Sequence, residues 1–189
     1  MPAQPLPRRN PKTATPTVAT HGHYAELHCR TNYSFLEGAS HPDELVNRAA
    51  ELGLHALAIT DRNSLAGVVR AHVAAKEAGL RLLIAAEITP IDSLPVILLA
   101  TSRSAYANLS QLITHGRCRS PKGECWLTFE DITRHANGLL ACIPLPVSSD
   151  TTTVQQLHNY RTCFRDNCYG LAELHCGPND RLKLDRFIQ

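Results

Sequence analysis

From Tyr24 onward the chain alternates between short apolar runs and stretches with helical spacing. His55–Thr60 (HALAIT), Arg81–Ile88 (RLLIAAEI), Pro95–Ala100 and Leu139–Ile143 are continuous apolar runs of strand length. Tyr24–Arg30 and Tyr169–His175 are strands of more mixed character. Between them lie helical segments with identifiable ends. Ser40, Pro42 and Asp43 form a capping signature with proline near the first turn, and Gly53 closes that helix. Leu65–Ala78 is stopped by Gly79. Ser104–Gly116 sets Leu109, Leu112 and Ile113 on one face. Thr128 with Asp131 opens a further helix that Gly138 ends, Val154–Arg165 is helical, and Arg181–Ile188 is a final helix. Apolar strands alternating with helices predict an α/β fold, a parallel sheet covered by helices as a barrel or a doubly wound sheet.

Composition narrows this only a little. Of 189 residues, 43% are hydrophobic, enough for one domain with a full core over 23–189. Residues 1–22 carry Pro2, Pro5, Pro7, Pro11 and Pro16 and are expected to form a disordered tail. No apolar stretch follows Arg8, Arg9 and Lys12, so no signal peptide is expected, and no run is long enough to cross a membrane. Seven cysteines without a C-x-x-C pair suggest reduced thiols in a cytoplasmic protein. Cys118, Cys125, Cys142, Cys163, Cys168 and Cys176 lack metal-site spacing and read as core or incidental residues. A net charge of +2 and 5% aromatics give no independent argument for nucleic-acid binding.

In parallel α/β folds, reactive groups gather at the C-terminal ends of strands. Here those ends carry His28 and Arg30, then Asp61 and Arg62, then Glu87, then Glu173 and His175, with Glu37 in the loop after the first strand. His, Asp and Glu converging on one mouth suit a divalent metal, with His28, Asp61 and Glu87 as the candidate ligands. Other readings stand beside this one. His28 can be a hydrogen-bonded rim residue, Asp61 a loop or capping residue, and Glu87 the partner of Arg30 or Arg62. The segment HGRCRSPK offers Arg117, Arg119 and Lys122 as a nucleic-acid contact or as a solvated loop.

The stretch YAELHCRTNYSFLEGASHPDELVNRAAELGLHALAITDRNSLAGVVRAHVAAKEAGLRLLIAAE resembles the start of the bacterial C-family error-prone DNA polymerases. PVILLATSRSAYANLSQLIT, RSPKGECWLTFEDI and CYGLAELHCGPNDR extend the resemblance to about residues 24–185. It implies a PHP domain (polymerase and histidinol phosphatase), a distorted parallel β/α barrel. Competent members hold a metal cluster for phosphoester hydrolysis through an H-x-H, a later acidic residue, a T-D-H and a G-x-E. In this sequence the H-x-H is His28-Cys29-Arg30, the acidic position is Glu37, the T-D-H is Thr60-Asp61-Arg62, and the G-x-E is Ala85-Ala86-Glu87. Two ligand positions are therefore arginine, which cannot give up its proton to coordinate a metal. The expectation is a degenerate site with no catalytic residue. Ion pairs would replace the metal, no cofactor would bind, and the alternative is residual Zn or Mn on a stand-alone phosphoesterase. The family's last metal-binding segment and last barrel strand are expected beyond Gln189, leaving the barrel incomplete and marginally stable, with an open sheet edge. No Asp-x-Asp is present, so the polymerase palm is not expected within these residues. Through the full-length enzymes, the resemblance implies DNA and other damage-response proteins as partners in the cytoplasm.

Overall fold

The computed structural model describes residues 24–144 and 150–174, with Gly177, Pro178, Asp180, Arg181 and Asp185 beyond them. The polar–apolar pattern resolves into a sheet whose strands lie side by side in chain order. These are β1 (Ala25–Cys29), β2 (Ala56–Ile59), β3 (Arg81–Ile88), β4 (Val96–Ala100), β5 (Leu139–Pro144) and β6 (Cys168–Leu171). Helices α1 (Pro42–Glu51), α2 (Val68–Ala78), α3 (Arg103–Cys118), α4 (Phe129–His135) and α5 (Thr151–Phe164) connect them. The expected α/β class holds, as a curled six-stranded half-barrel with helices.

One expectation fails inside that class. The sheet is mixed, because β4 runs antiparallel to both β3 and β5, while the β1–β2, β2–β3 and β5–β6 pairs are parallel. For the β3–β4 pair the reason is the Thr89–Pro95 connection, which is too short for the crossover that parallel neighbours require. Two helix starts also move. The cap of α1 is His41, one residue after Ser40, and its N–H donates to Glu44 Oε2 at 2.8 Å. Pro42 then occupies the first helical position, where its missing N–H costs nothing. Helix α2 begins at Val68, preceded by a turn in which Val68 N donates to Leu65 O at 3.1 Å. Strand β6 ends at Leu171, so Glu173 lies past it. His175, Cys176, the 1–22 tail and most of the expected Arg181–Ile188 helix lie outside the described residues.

Alternation along the strands divides the side chains between two faces. Leu57 and Ile59 of β2 face outward against Val46 and Ala49 of α1 and Ala71, Ala74 and Ala75 of α2. Ala86, Ile88 and Leu98 pack outward against Leu109 and Leu112 of α3, Ile132 of α4 and Tyr160 of α5. Between those positions, Ala58, Ala85, Ile97 and Cys142 form a small inner cluster. Tyr160 is fully buried, stands edge-on to Phe129 with centroids 5.0 Å apart, and donates its hydroxyl to Leu94 O at 2.7 Å.

The α3–α4 connection, part of which was expected as a solvated loop, is tied down by charge. Residues 115–118 belong to α3 itself. Arg119 pairs with Asp131 and donates through Nε to Trp126 O at 2.5 Å. Asp131 also closes the capping box of α4, accepting from Thr128 N and Thr128 Oγ1, both at 2.8 Å. Burial alone would raise the Asp131 pKa, but Arg119 and the Thr128 donors hold it down at about 2. A carboxyl depressed in the folded state stabilises above its unfolded pKa and loses that contribution as pH falls through the folded value. Asp131→Asn should therefore lower stability by about 2 kcal/mol at pH 7. In denaturant titrations across pH, the gap to the parent should close between about pH 4 and pH 2.

Candidate functional site

The C-terminal ends of β1, β2, β3 and β6 meet at one rim. A register irregularity between Glu26 and Cys29 of β1 re-aims the end of that strand. Beyond it, His28 and Arg30 both reach Glu87 near the end of β3. Glu87 is only 4% exposed, and a carboxylate buried that deeply needs countercharge. Arg30 supplies it twice, Nε donating to Glu87 Oε2 at 2.8 Å and Nη2 at 2.6 Å. The third nitrogen of the same guanidinium lies 3.4 Å from Glu37 Oε2. Arg62 pairs with the other oxygen of Glu37. The main chain reinforces the array, since Arg62 and Glu87 form a parallel bridge and Asn63 N donates to Glu87 O at 2.7 Å.

His28 spans the two edges of the sheet. Its Nδ1 pairs with Glu173 Oε1, beyond the last strand, and its Nε2 lies 3.6 Å from Glu87 Oε2. That second contact is an ion-pair distance and not a hydrogen bond, and Nε2 is buried without a hydrogen-bond partner. Burial favours neutral imidazole, but the Glu87 and Glu173 carboxylates outweigh it and raise the His28 pKa. Burial likewise works against the charged form of Glu87, yet His28 and Arg30 bring its pKa below the ordinary carboxylate value.

Asp61 stands apart from the arginines. It is 1% exposed, and both of its oxygens are taken by the loop after β1. Oδ1 accepts from Thr31 N at 2.8 Å and Ser34 Oγ at 2.7 Å, and Oδ2 accepts from Thr31 Oγ1 at 2.8 Å. Ser34 Oγ in turn accepts from Arg62 N at 3.0 Å. Thr31 and Ser34 were not among the residues marked in the sequence; a Thr and a Ser within one short loop are too common to flag. Nor did the sequence indicate what Arg117 does, which is to donate to Asn63 O at 3.0 Å and tie α3 to the rim. Arg117 and Arg119 thus bond within the domain, and Lys122 lies exposed between α3 and α4.

The donor set does not fit the metal centre that the motif pattern implies. Both oxygens of Asp61 already accept hydrogen bonds, Glu87 Oε2 already accepts two from a guanidinium, and Arg30 and Arg62 occupy two ligand positions. Among the described residues, His28 Nε2 is a buried rim nitrogen without a hydrogen bond, and one imidazole nitrogen does not make a closed or a catalytic metal site. Among the described residues, no group of three or more His, Cys, Asp and Glu side chains is disposed to hold an ion.

The PHP domain family matches residues 26–167, and the chain belongs to that family. The chain matches the N-terminal region of error-prone DNA polymerases. It is 46% identical over 170 residues to an error-prone DNA polymerase of Rhodopirellula baltica, covering 85% of this chain and 15% of that protein. The figures for the Aromatoleum aromaticum enzyme are 46% over 170 residues, 87% and 16%, and for the Dechloromonas aromatica enzyme 43% over 163 residues, 85% and 16%. The chain therefore spans about a sixth of the length of these curated relatives. Among solved structures, an amidohydrolase from Chromobacterium violaceum superposes with a TM-score of 0.56 at 17% identity, covering 86% of this chain and 83% of that one. A lesion-specific endonuclease from Pyrococcus furiosus gives 0.50 at 15% identity, covering 79% and 42%. At such identities these two structures support the fold alone.

The rim makes a quantitative prediction. Removing Arg30 leaves Glu87 buried without its main countercharge, so Arg30→Met should destabilise by about 2 to 3 kcal/mol. Adding Glu87→Gln should recover much of that loss, giving a coupling energy of at least about 1 kcal/mol in a double-mutant cycle followed by urea unfolding.

Proposed function

We propose that this chain serves as a structural, accessory PHP domain of an error-prone DNA polymerase, acting in DNA replication past damage and without a metal centre of its own. The observation that carries this reading is the double donation from Arg30 to Glu87 at a position where the family pattern requires a metal ligand. A guanidinium at that position neutralises the acid and stands where a metal ligand would have to be. No bound water can then be activated as a nucleophile. The similarity to error-prone polymerases supplies the biological setting: the domain meets DNA and other damage-response proteins only as part of a longer cytoplasmic enzyme whose palm carries the polymerising metals. No helix among the described residues is long and apolar enough to cross a membrane.

Expression in medium supplemented with Zn and Mn, followed by elemental analysis, checks this directly. The expected result is far less than one metal ion per chain and no chelator-sensitive hydrolysis of bis-p-nitrophenyl phosphate. Stoichiometric metal with turnover abolished by His28→Ala would instead establish a stand-alone PHP phosphoesterase.

A further inference from the structure

The rim that opens to substrate in a catalytic barrel carries exposed apolar side chains here beside its ion pairs. The loop after β1 carries Tyr33, Phe35 and Leu36 there, with Phe35 84% and Leu36 90% exposed. The β3–β4 turn adds Ile91, 69% exposed, and its N–H donates to Leu127 O at 2.8 Å, which brings it beside exposed Trp126. Leu174 follows Glu173 where that residue meets His28. The other large exposed apolar residues are scattered over helix surfaces and the opposite end, as at Tyr24, Leu52 and Tyr169.

The Phe35–Leu36 tip is held out by construction. Leu36 adopts a left-handed φ of 66°, a conformation unfavourable for a side chain with a Cβ. Ser34 O accepts from both Glu37 N and Gly38 N at 3.0 Å, Ser34 is anchored on Asp61, and Glu37 is gripped by two arginines. Gly38 is required, since a Cβ there would sit 2.1 Å from Thr31 O. A braced loop that presents two large apolar groups to water has the form of a preorganised interface anchor.

We propose that this rim is a docking face for an apolar protein surface in the polymerase region that follows the PHP domain in the longer relatives. Two observations favour that occupant, and the first of them disfavours nucleic acid. Arg30, Arg62 and Arg119 are each paired with carboxylates, and Arg117 is bonded to a carbonyl, so little of the rim's basic charge is left for phosphates. The relatives that share this sequence carry most of their length outside it, and the backbone beyond β6 crosses this same face at Glu173 and Leu174. The inference rests on the proposed polymerase role.

The test is a hybrid in which this chain replaces the matching region of the Rhodopirellula baltica enzyme, studied by scanning calorimetry. The hybrid should melt with the domain coupled to the rest. Phe35→Asp with Leu36→Asp should release a separate domain transition lower by about 5 °C or more. The same pair should leave the melting of the isolated chain unchanged, and Tyr24→Ser with Tyr169→Ser should leave the hybrid unchanged. An unaltered hybrid transition, uncoupled melting of the parent hybrid, or an equal loss in the isolated chain would overturn the proposal. So would a dimer of the isolated chain, or single-stranded DNA binding by it, that the Asp pair abolishes. Metal content measured on the same hybrid separates the two ideas, because stoichiometric metal defeats the proposed function whatever the calorimetry shows.

Discussion

A carboxylate on the inner face of β3 must be neutralised, and most of the rim follows from how that is done. Glu87 is nearly buried, and moving an uncompensated charge of that kind out of water costs several kcal/mol. Arg30 meets it with two donors and extends its third nitrogen to Glu37, which orients Glu37 for Arg62. One buried acid thereby fixes a strand end, a loop and the start of the next connection. A divalent ion could neutralise the same acid, with a different consequence. An ion keeps exchangeable positions that water or a phosphate can occupy, whereas a guanidinium has five N–H donors and no acceptor. The substitution exchanges reactivity for fixed geometry.

Asp61 illustrates a second way to hold a buried carboxylate. Among the described residues no cationic side chain is bonded to it, and three hydrogen bonds from Thr31 and Ser34 engage its oxygens. Those bonds define the shape of the loop after β1, because Ser34 simultaneously takes the N–H of Arg62 and organises the turn through Glu37 and Gly38. A residue positioned like a metal ligand therefore acts as the centre of a loop. The sequence alone could not distinguish these roles, since the oxygens that a metal would use are the same ones that a hydroxyl uses.

What could be read from the sequence follows from which features are local. Strand and helix positions were legible because burial imposes periods of two and of 3.6 residues, and capping residues such as Thr128 with Asp131 act within a single turn. The direction of β4 was misread because apolar runs carry no sign of orientation; only the short Thr89–Pro95 connection did. At the site, the convergence of His28, Arg30, Glu37, Arg62 and Glu87 could be anticipated from strand ends, since topology brings them together whatever they bond to. The pairing itself was open, because Arg62 had three acids within plausible reach and geometry gave it Glu37. The docking of Arg117 on Asn63 O was invisible, being a contact between segments far apart in sequence.

The two ends of the sheet add a last constraint. Strands β1 and β6 are the edges in the sheet order, yet His28 at the end of β1 touches Glu173 just past β6. That contact requires the sheet to curl until its outer strands approach at the rim, which also brings His28, Arg30 and Glu87 together over the inner face. Charges are thus drawn inward by one another, while the loops that carry them turn apolar side chains outward. A mouth built this way is filled by its own ion pairs, with Glu87 and Glu37 each held by arginine. Exposed apolar side chains beside the ion pairs of the rim are consistent with a face that ordinarily lies against something else.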